Sequence, residues 1–340
     1  MQGIVLTEAK RFESLVIREI DYPYPGPGEV TVRVQASALN HRDLWIVHGL
    51  YPGIVVPIVL GSDGAGVVDQ VGPDVDPAWV GTAVVINPSL DWGRDPRVQG
   101  KNYRILGMPN NGTQAEFVRV PEANVATKPS YLSFAEAAAI PLGGLTGYRA
   151  LFTQGALRAG ETVLLTGIGG GVAALTMQMA LAVGARVLVT SGSDSKVQRA
   201  LALGAAAGAN YAAEDWGEEL SHLAQPRGID LIVDSAGGDG FAALTRLVNP
   251  GGRIVFFGAT AGNPTGIDMR NLFWKQVRLQ GTTMGTPEEF SDMLKLFESR
   301  QLKPIIEHLY RFDEFGDAYA RMRDGTQFGK LVLLAPSVSI

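Results

Sequence analysis

The residues best placed to do chemistry form a glycine-rich run, Thr162-Val-Leu-Leu-Thr-Gly-Ile-Gly-Gly-Gly-Val-Ala173. Gly167, Gly169, Gly170 and Gly171 stand between an apolar strand pattern and an apolar helix pattern. Glycine lets the backbone turn sharply and come close to a pyrophosphate, whose charge sits on free N–H groups at a helix N-terminus. The G-x-G-x-x-G spelling is met only with Ala174 in the last place, counting from Gly169, and counting from Gly167 that place falls on Val172. A strand before, a helix after and another strand about 20 residues on turn this run into an expected dinucleotide site.

That following strand bears on the choice of dinucleotide. An NAD site places Asp or Glu at its end to hold the ribose hydroxyls, and an NADP site replaces the acid and adds a cation. Here the strand ends Val189-Thr190-Ser191-Gly192-Ser193, and Lys196 and Arg199 follow on the next helix. NADPH is therefore expected ahead of NADH. Two alternatives stay open: Asp194 serves as the ribose acid if the loop register moves, and Lys196 and Arg199 form a solvated helix face. The expected cofactor contacts are Gly169, Gly170, Gly171, Val172, Ser191, Ser193, Lys196 and Gly258, with Tyr211 either stacking on the adenine or capping a strand.

These residues need a scaffold, and the pattern supplies two kinds. Up to about residue 125 short strands alternate with Gly and Pro turns: 14–19, 30–36, 65–71, 83–87 and 113–120. That reads as a compact β domain. The stretch 88–107 has no period and reads as an excursion from it. Ser133 and Glu136 form a capping box for an alanine-rich helix. From Glu161 strands (162–166, 186–191, 231–234, 252–258) alternate with helices (173–183, 196–203, 241–247), which indicates a parallel sheet covered on both faces. Two amphipathic helices (286–298, 313–323) and a strand at 330–334 close the chain. The expected fold class is α/β: a β-rich domain over 1–127, a doubly wound dinucleotide domain over 128–284, and 285–340 returning in part to the first.

Composition narrows the function. The chain has 340 residues, 29 Lys and Arg against 34 Asp and Glu, and a net charge of −5. That mild acidity argues against nucleic acid or an anionic membrane as a partner. Glycine is abundant, 42 residues or about 12% against a usual ~7%. Cysteine is absent, which excludes disulfides, cysteine nucleophiles and thiolate-bound zinc. The N-terminus shows no basic leader and no segment reaches the ~18 apolar residues of a membrane span, so a cytoplasmic location is expected.

Several segments in order carry a resemblance: Asn40-His-Arg-Asp43, Gly61-Ser-Asp-Gly-Ala-Gly66, Leu145-Thr-Gly-Tyr148, the glycine-rich turn, Asp234-Ser-Ala-Gly-Gly238, Pro250-Gly-Gly-Arg253 and Phe328-Gly-Lys330. Over nearly its whole length the chain resembles the medium-chain dehydrogenase/reductase superfamily. The resemblance implies a GroES-like catalytic domain built from both chain ends around a central Rossmann domain. It also puts Thr146 beside the nicotinamide and Lys330 near the cofactor. Zinc alcohol dehydrogenases of the superfamily hold their catalytic metal with Cys, a His-Glu pair and a second Cys. The corresponding positions here are Asn40, Ser62 with Asp63, and a place near Leu142. Asp63, Asp43, His41 and His48 are the residues left from which another metal site would have to be built, and no zinc is expected. In the lobe at 88–107, Trp92 and Asp95 stand where zinc relatives carry structural cysteines, with packing of Trp92 and Tyr103 expected in the metal's place.

Oxidising a simple alcohol requires removal of a hydroxyl proton with a pKa near 15.7, a task usually given to a metal or a positioned base. Reducing a quinone or an α,β-unsaturated carbonyl needs only hydride delivery, a hydrogen-bond donor and a proton. The chain resembles the zinc-free quinone oxidoreductase and enoyl reductase branches, where Asn likewise takes the first ligand position. The candidate catalytic residues are Asn40, as an amide for the substrate oxygen or a water; Tyr51, as a proton donor; and Asp43 and Asp63. The two acids are expected to pair with Arg42 or backbone amides. Trp45, Ile46, Leu50, Tyr51, Phe273 and Trp274 are either a greasy pocket or core. The alternative functions are a dinucleotide-binding structural or sensing protein with little turnover, and an alcohol dehydrogenase-like enzyme. The strand 277–281 could pair across a two-fold axis, which makes a homodimer the expected assembly.

Overall fold

The structure is a computed structural model, and it describes residues 1–338. Two compact units are present, one made of Met1–Gly143 with the segment from Gly285 onward, the other of Gly144–Met284. The chain ends thus meet in the first unit, and the segment 128–143 belongs to it.

The first unit is built on strands β1 (Gln2–Leu6), β2 (Leu15–Glu19), β3 (Glu29–Ala38), β4 (Ile58–Val59), β5 (Asp63–Val71) and β6 (Ala83–Ile86). It continues with β7 (Ser89–Leu90), β8 (Arg104–Ile105), β9 (Phe117–Pro121) and β10 (Val125–Thr127), and a helix α1 (His41–Val47) follows β3. Val30, Val32 and Val34 of β3 alternate into one core with Val68, Val84, Ile86, Val118 and Val120, and Thr31 and Ser37 on the other face are buried as well. After β10 come α2 (Phe134–Ala138) and α3 (Pro141–Tyr148). Ser133 and Glu136 cap α2 reciprocally at 2.7 and 3.1 Å, as their spacing predicts.

The second unit runs β11 (Thr162–Leu165), α4 (Gly171–Ala182), β12 (Arg186–Ser191), α5 (Asp194–Ala202), β13 (Ala207–Asn210), α6 (Trp216–Ala224), β14 (Ile229–Asp234), α7 (Gly240–Leu247), β15 (Val248–Phe256), α8 (Met269–Lys275) and β16 (Arg278–Gly281). Its sheet has the order β13-β12-β11-β14-β15-β16, with every pairing parallel. That is the 3-2-1-4-5-6 order of a Rossmann sheet, in which the strand order reverses between β11 and β14.

The chain then returns through α9 (Pro287–Ser299), β17 (Ile306–Tyr310), α10 (Phe315–Arg323) and β18 (Lys330–Leu334). α9 starts from a Thr286/Glu289 capping box and buries Phe290, Met293, Leu294 and Phe297, one apolar stripe at helical spacing. β18 pairs antiparallel with β3 and parallel with β17, so the larger sheet reads β10-β6-β5-β3-β18-β17 with β9 also on β3. Leu39 donates its N–H to Leu331 O at 3.0 Å, which sets Lys330 beside Asn40.

Several elements escape the sequence pattern. α1 is seven residues long, too short to display a period. β13 reads Ala-Gly-Ala-Asn, with none of the β-branched residues that mark strands. The strand expected at 113–120 begins only at Phe117; before it the backbone of 113–116 bonds instead to Gly61, Leu60, Ile4 and Gln2. The excursion 88–107 holds the small sheet β7-β8, and Trp92 meets Tyr103 edge-on with centroids 5.3 Å apart. Among the described residues no helix is long and apolar enough to cross a membrane.

The glycines at 61–66 serve backbone packing. A Cβ on Gly66 would sit 2.1 Å from the Arg33 carbonyl oxygen on the neighbouring strand. Gly66→Ala should therefore cost about 1–3 kcal/mol in urea denaturation, with the slope unchanged. Gly217 of α6 has nothing within 4 Å of its Cβ position, and Gly217→Ala should stabilise by about 0.4–1 kcal/mol. Equal midpoints for the two variants would contradict this packing.

Candidate functional site

In the first unit the candidate catalytic residues gather at the start of α1 and the start of β5. Asn40 is the N-cap residue of α1, yet its side chain makes no capping bond. The cap comes instead from Asp43, whose Oδ2 accepts the Asn40 N–H at 2.9 Å. The Asn40 amide is thereby released for other contacts. Its Nδ2 donates to Asp63 Oδ2 at 3.0 Å and its Oδ1 accepts from Lys330 Nζ at 2.7 Å. Lys330 Nζ also donates to Asp63 Oδ2 at 2.8 Å, and Asp63 Oδ1 accepts the Leu142 N–H at 2.7 Å. The Lys330–Asp63 ion pair is buried, with side chains 3% and 0% exposed. Removing one partner of such a pair strands a charge and costs about 3–5 kcal/mol.

Arg42 does something the sequence reading did not anticipate. Of the two partners expected for Asp43 and Asp63, backbone amides are found, the N–H groups of Asn40 and Leu142, whereas the Arg42 guanidinium donates to Ser62 Oγ and to the carbonyls of Ile105, Leu106 and Met108 at 3.0–3.2 Å. It anchors a loop, and Asp63 takes its cation from Lys330. A string of backbone carbonyls has no signature in sequence. Arg42 Nε also donates to the Tyr51 hydroxyl at 3.3 Å, and the guanidinium carbon lies 5.0 Å from the Tyr51 ring centroid. The Tyr51 oxygen thus accepts from Arg42, and its own proton is directed elsewhere. Of the apolar candidates in this unit, Ile46 is core, Tyr51 packs against the same cluster and Leu50 is exposed.

The donor set does not fit zinc. Zinc needs three or four deprotonated N, S or O ligands. Asp63 has both oxygens engaged, the Asn40 oxygen faces an ammonium, and Ser62 donates to Leu106 O at 2.8 Å. Among the described residues no group of three or more His, Cys, Asp or Glu could hold a metal ion.

In the second unit the glycine-rich turn lies at the carboxyl ends of β11 and β14, where the strand order reverses. Gly169 has φ +114°, and a Cβ there would meet Lys196 Cδ at 2.7 Å. Glycine is required, and it lets the Lys196 chain lie against the turn. Gly170 is the N-cap of α4 with no side-chain cap, which leaves backbone N–H groups of Gly171 and Val172 at a helix N-terminus for an anion. Thr166 Oγ1 donates to Asp234 Oδ1 at 2.6 Å and Gly237 N–H to Asp234 Oδ2 at 2.8 Å, tying the two strand ends together.

Ser191 ends β12 and no carboxylate follows it directly. Asp194 opens α5 and accepts from Asn210 Nδ2 at 2.9 Å, so its carboxylate is drawn to β13. Ser193 N–H points to Ser191 Oγ at 3.3 Å and Ser193 Oγ lies 2.8 Å from Ser195 Oγ. The Tyr211 ring lies over Gly192, its hydroxyl 2.9 Å from where a Cβ would be. Ser191, Ser193 and Tyr211 thus lie at the end of β12, and the Lys196 side chain lies against the glycine turn at Gly169. Thr146 is buried in α3 with Oγ1 3.7 Å from Met284 Sδ. Gly258 closes on Ser235 O, 2.6 Å from its Cβ position. Phe273 and Trp274 are exposed on α8.

Asp43 is fully buried, and its Oδ1 has no hydrogen-bond partner. Burial pushes its carboxyl from 3.8 up to about 6, against the opposing pull of Arg42 and the Asn40 N–H. A raised folded pKa means that the folded chain holds the proton better than the unfolded one. Stability should therefore fall as pH rises from about 4 to about 6, by up to about 1.4 kcal/mol per pH unit, and level off above. Asp43→Asn keeps the acceptor for Asn40 N–H and removes this titration. The stability difference between wild type and Asp43→Asn, from urea melts between pH 4 and 7, should follow that slope. A flat difference would show that Asp43 does not titrate in this window.

Two family models match the chain: the alcohol dehydrogenase GroES-like domain over residues 26–130 and the zinc-binding dehydrogenase over 171–299. The zinc-type alcohol dehydrogenase-like protein YogA of Leptosphaeria maculans is 34% identical, over 94% of each chain. The acryloyl-coenzyme A reductase of Sulfurisphaera tokodaii is 27% identical, over 98% of this chain and 99% of that one. The crystal structure of an NAD-dependent alcohol dehydrogenase, 38% identical, superposes with a TM-score of 0.92 and covers 98% of this chain and 100% of that chain. Fold, strand order and these relatives agree: the chain belongs to the medium-chain dehydrogenase/reductase superfamily of NAD(P)H oxidoreductases.

Proposed function

We propose that this oxidoreductase uses NADPH, without zinc, to reduce quinones or α,β-unsaturated carbonyls. The observation that carries the reading is the Asn40–Asp63–Lys330 cluster. At the position matched to the first zinc ligand it presents an amide held by an ammonium, which suits an oxygen gaining negative charge. Nothing in the cluster suits removal of an alcohol proton. The acryloyl group of the relative from Sulfurisphaera tokodaii is itself a conjugated carbonyl.

Reduced nicotinamide, when bound, supplies the hydride. The residues that would hold the dinucleotide are Gly169–Gly171 and Val172 for the pyrophosphate, and Ser191, Ser193 and Lys196 for the 2′-phosphate. Tyr211, Thr146 and Gly258 complete the proposed contacts. Asn40 Nδ2 offers a hydrogen to the substrate oxygen, and Tyr51, its oxygen already accepting from Arg42, supplies the proton that completes the reduction. The NAD-dependent relative at 38% identity favours NADH as a second reading; the seryl end of β12 and the position of Lys196 favour NADPH.

A homodimer belongs to the same proposal. β16 is the outer strand of its sheet and all its residues are exposed, leaving one edge of backbone groups to be paired by a second copy.

Three measurements test these points. Loss of NADPH absorbance should be seen with some members of a quinone and enone panel, and dialysis against a chelator should leave it unchanged. NADPH binding without turnover across the panel would leave a binding protein, and chelator-sensitive alcohol oxidation would restore the metal enzyme. Lys196→Ala should raise the KM for NADPH about 10- to 100-fold, the value of one charge-assisted hydrogen bond, with little effect on NADH. Light scattering should give twice the chain mass, and Leu279→Lys on β16 should shift it toward the monomer.

A further inference from the structure

The amide of Asn40 can be oriented without ambiguity. An ammonium has hydrogens to donate and nothing to accept with; an ionised carboxylate accepts and cannot donate. Lys330 Nζ lies 2.7 Å from one end of the amide and Asp63 Oδ2 3.0 Å from the other. The oxygen must face Lys330 and the nitrogen Asp63. One Nδ2 hydrogen is used on Asp63, so the amide has a single N–H left for a substrate. Its oxygen, bonded to a cation, also polarises the amide and makes that N–H a stronger donor.

We infer that Lys330 is a positioning residue whose buried ammonium, paired with Asp63, locks the Asn40 amide as a hydrogen-bond donor toward the substrate oxygen. The inference rests on the proposed reduction and deepens it: the site takes substrates whose oxygen gains negative charge, and Lys330 imposes that preference through Asn40. The resemblance implies a place for Lys330 near the cofactor, and its Nζ donates to Asn40 and Asp63. The fold delivers it there at the first position of β18, beside the end of β3. The chain positions matched to the first zinc ligand and to the Glu of the His-Glu pair both bond to it. A lysine on a third strand holds them together.

Two variants separate positioning from folding. Lys330→Met strands the Asp63 carboxylate and should lower the denaturation midpoint. The double variant Lys330→Met/Asp63→Asn removes both charges, keeps an acceptor for the Leu142 N–H, and should recover most of that loss. In it a neutral amide, able both to donate and to accept, replaces the carboxylate, so nothing fixes which way Asn40 points. We expect kcat for quinone or enone reduction to fall about 10-fold or more in the double variant, with KM within about threefold. In asparagine-labelled protein the Asn40 Nδ2 hydrogens, assigned by their loss in Asn40→Ser, should exchange with water at least about 10-fold faster than in wild type. A double variant with kcat within about twofold of wild type, or with unchanged Asn40 amide signals, overturns the inference. If wild type reduces nothing on the panel, the proposed function fails while the amide exchange measurement alone decides the role of Lys330.

Discussion

The buried pair between Lys330 and Asp63 is the interaction on which the arrangement around Asn40 depends. Taking two charges out of water is expensive, and the attraction between them repays it only with good geometry and satisfied neighbours. Here the neighbours are supplied: the Leu142 N–H on one Asp63 oxygen, the Asn40 amide bridging the other oxygen and the ammonium. The pair joins residues 267 positions apart. It forms because β18 returns to lie against β3, and that strand pairing is held by the apolar residues Leu331 and Leu333 in one core with Leu39, Leu44 and Tyr319. Hydrophobic burial therefore places the charges, and the charges then orient the amide.

The two units solve different recognition problems. The second presents mostly backbone: a glycine turn, a helix N-terminus, and strand ends braced by Asp234. Backbone N–H groups suit a phosphate irrespective of what chemistry follows. The first unit presents side chains, and these depart from the zinc-type pattern at each ligand position. Asn40, Ser62 and Asp63 do not merely fail to bind a metal. They are bonded to Lys330, Arg42 and main-chain groups, and one N–H of the Asn40 amide is left over from that arrangement.

Much of the fold was legible in the sequence because its signals are local. The capping box at Ser133, the strand at 30–36 and the strand–glycine–helix run at 162–173 each rest on neighbours within a few residues. α1 and β13 were not legible: one is too short for a period and the other carries small residues in place of β-branched ones. Tertiary pairing with larger neighbours makes them regular. The same division runs through the site. The absence of a carboxylate at the end of β12 could be read directly, and so could the amide and acids at Asn40, Asp43 and Asp63.

The glycine spacing and the missing cysteines settled by themselves that a dinucleotide turn was to be expected and that no thiolate could hold a metal, because both are properties of residue type and local spacing. Which cation answers Asp63 was decided only by the tertiary structure. Arg42, adjacent to Asp43 in sequence, was the nearer choice, but it is spent on carbonyls of the 105–108 loop, and Lys330 arrives from the far end of the chain. Hydrogen-bond partners of a buried carboxylate are chosen by distance in space, and chain order carries no record of that distance until the strands have paired.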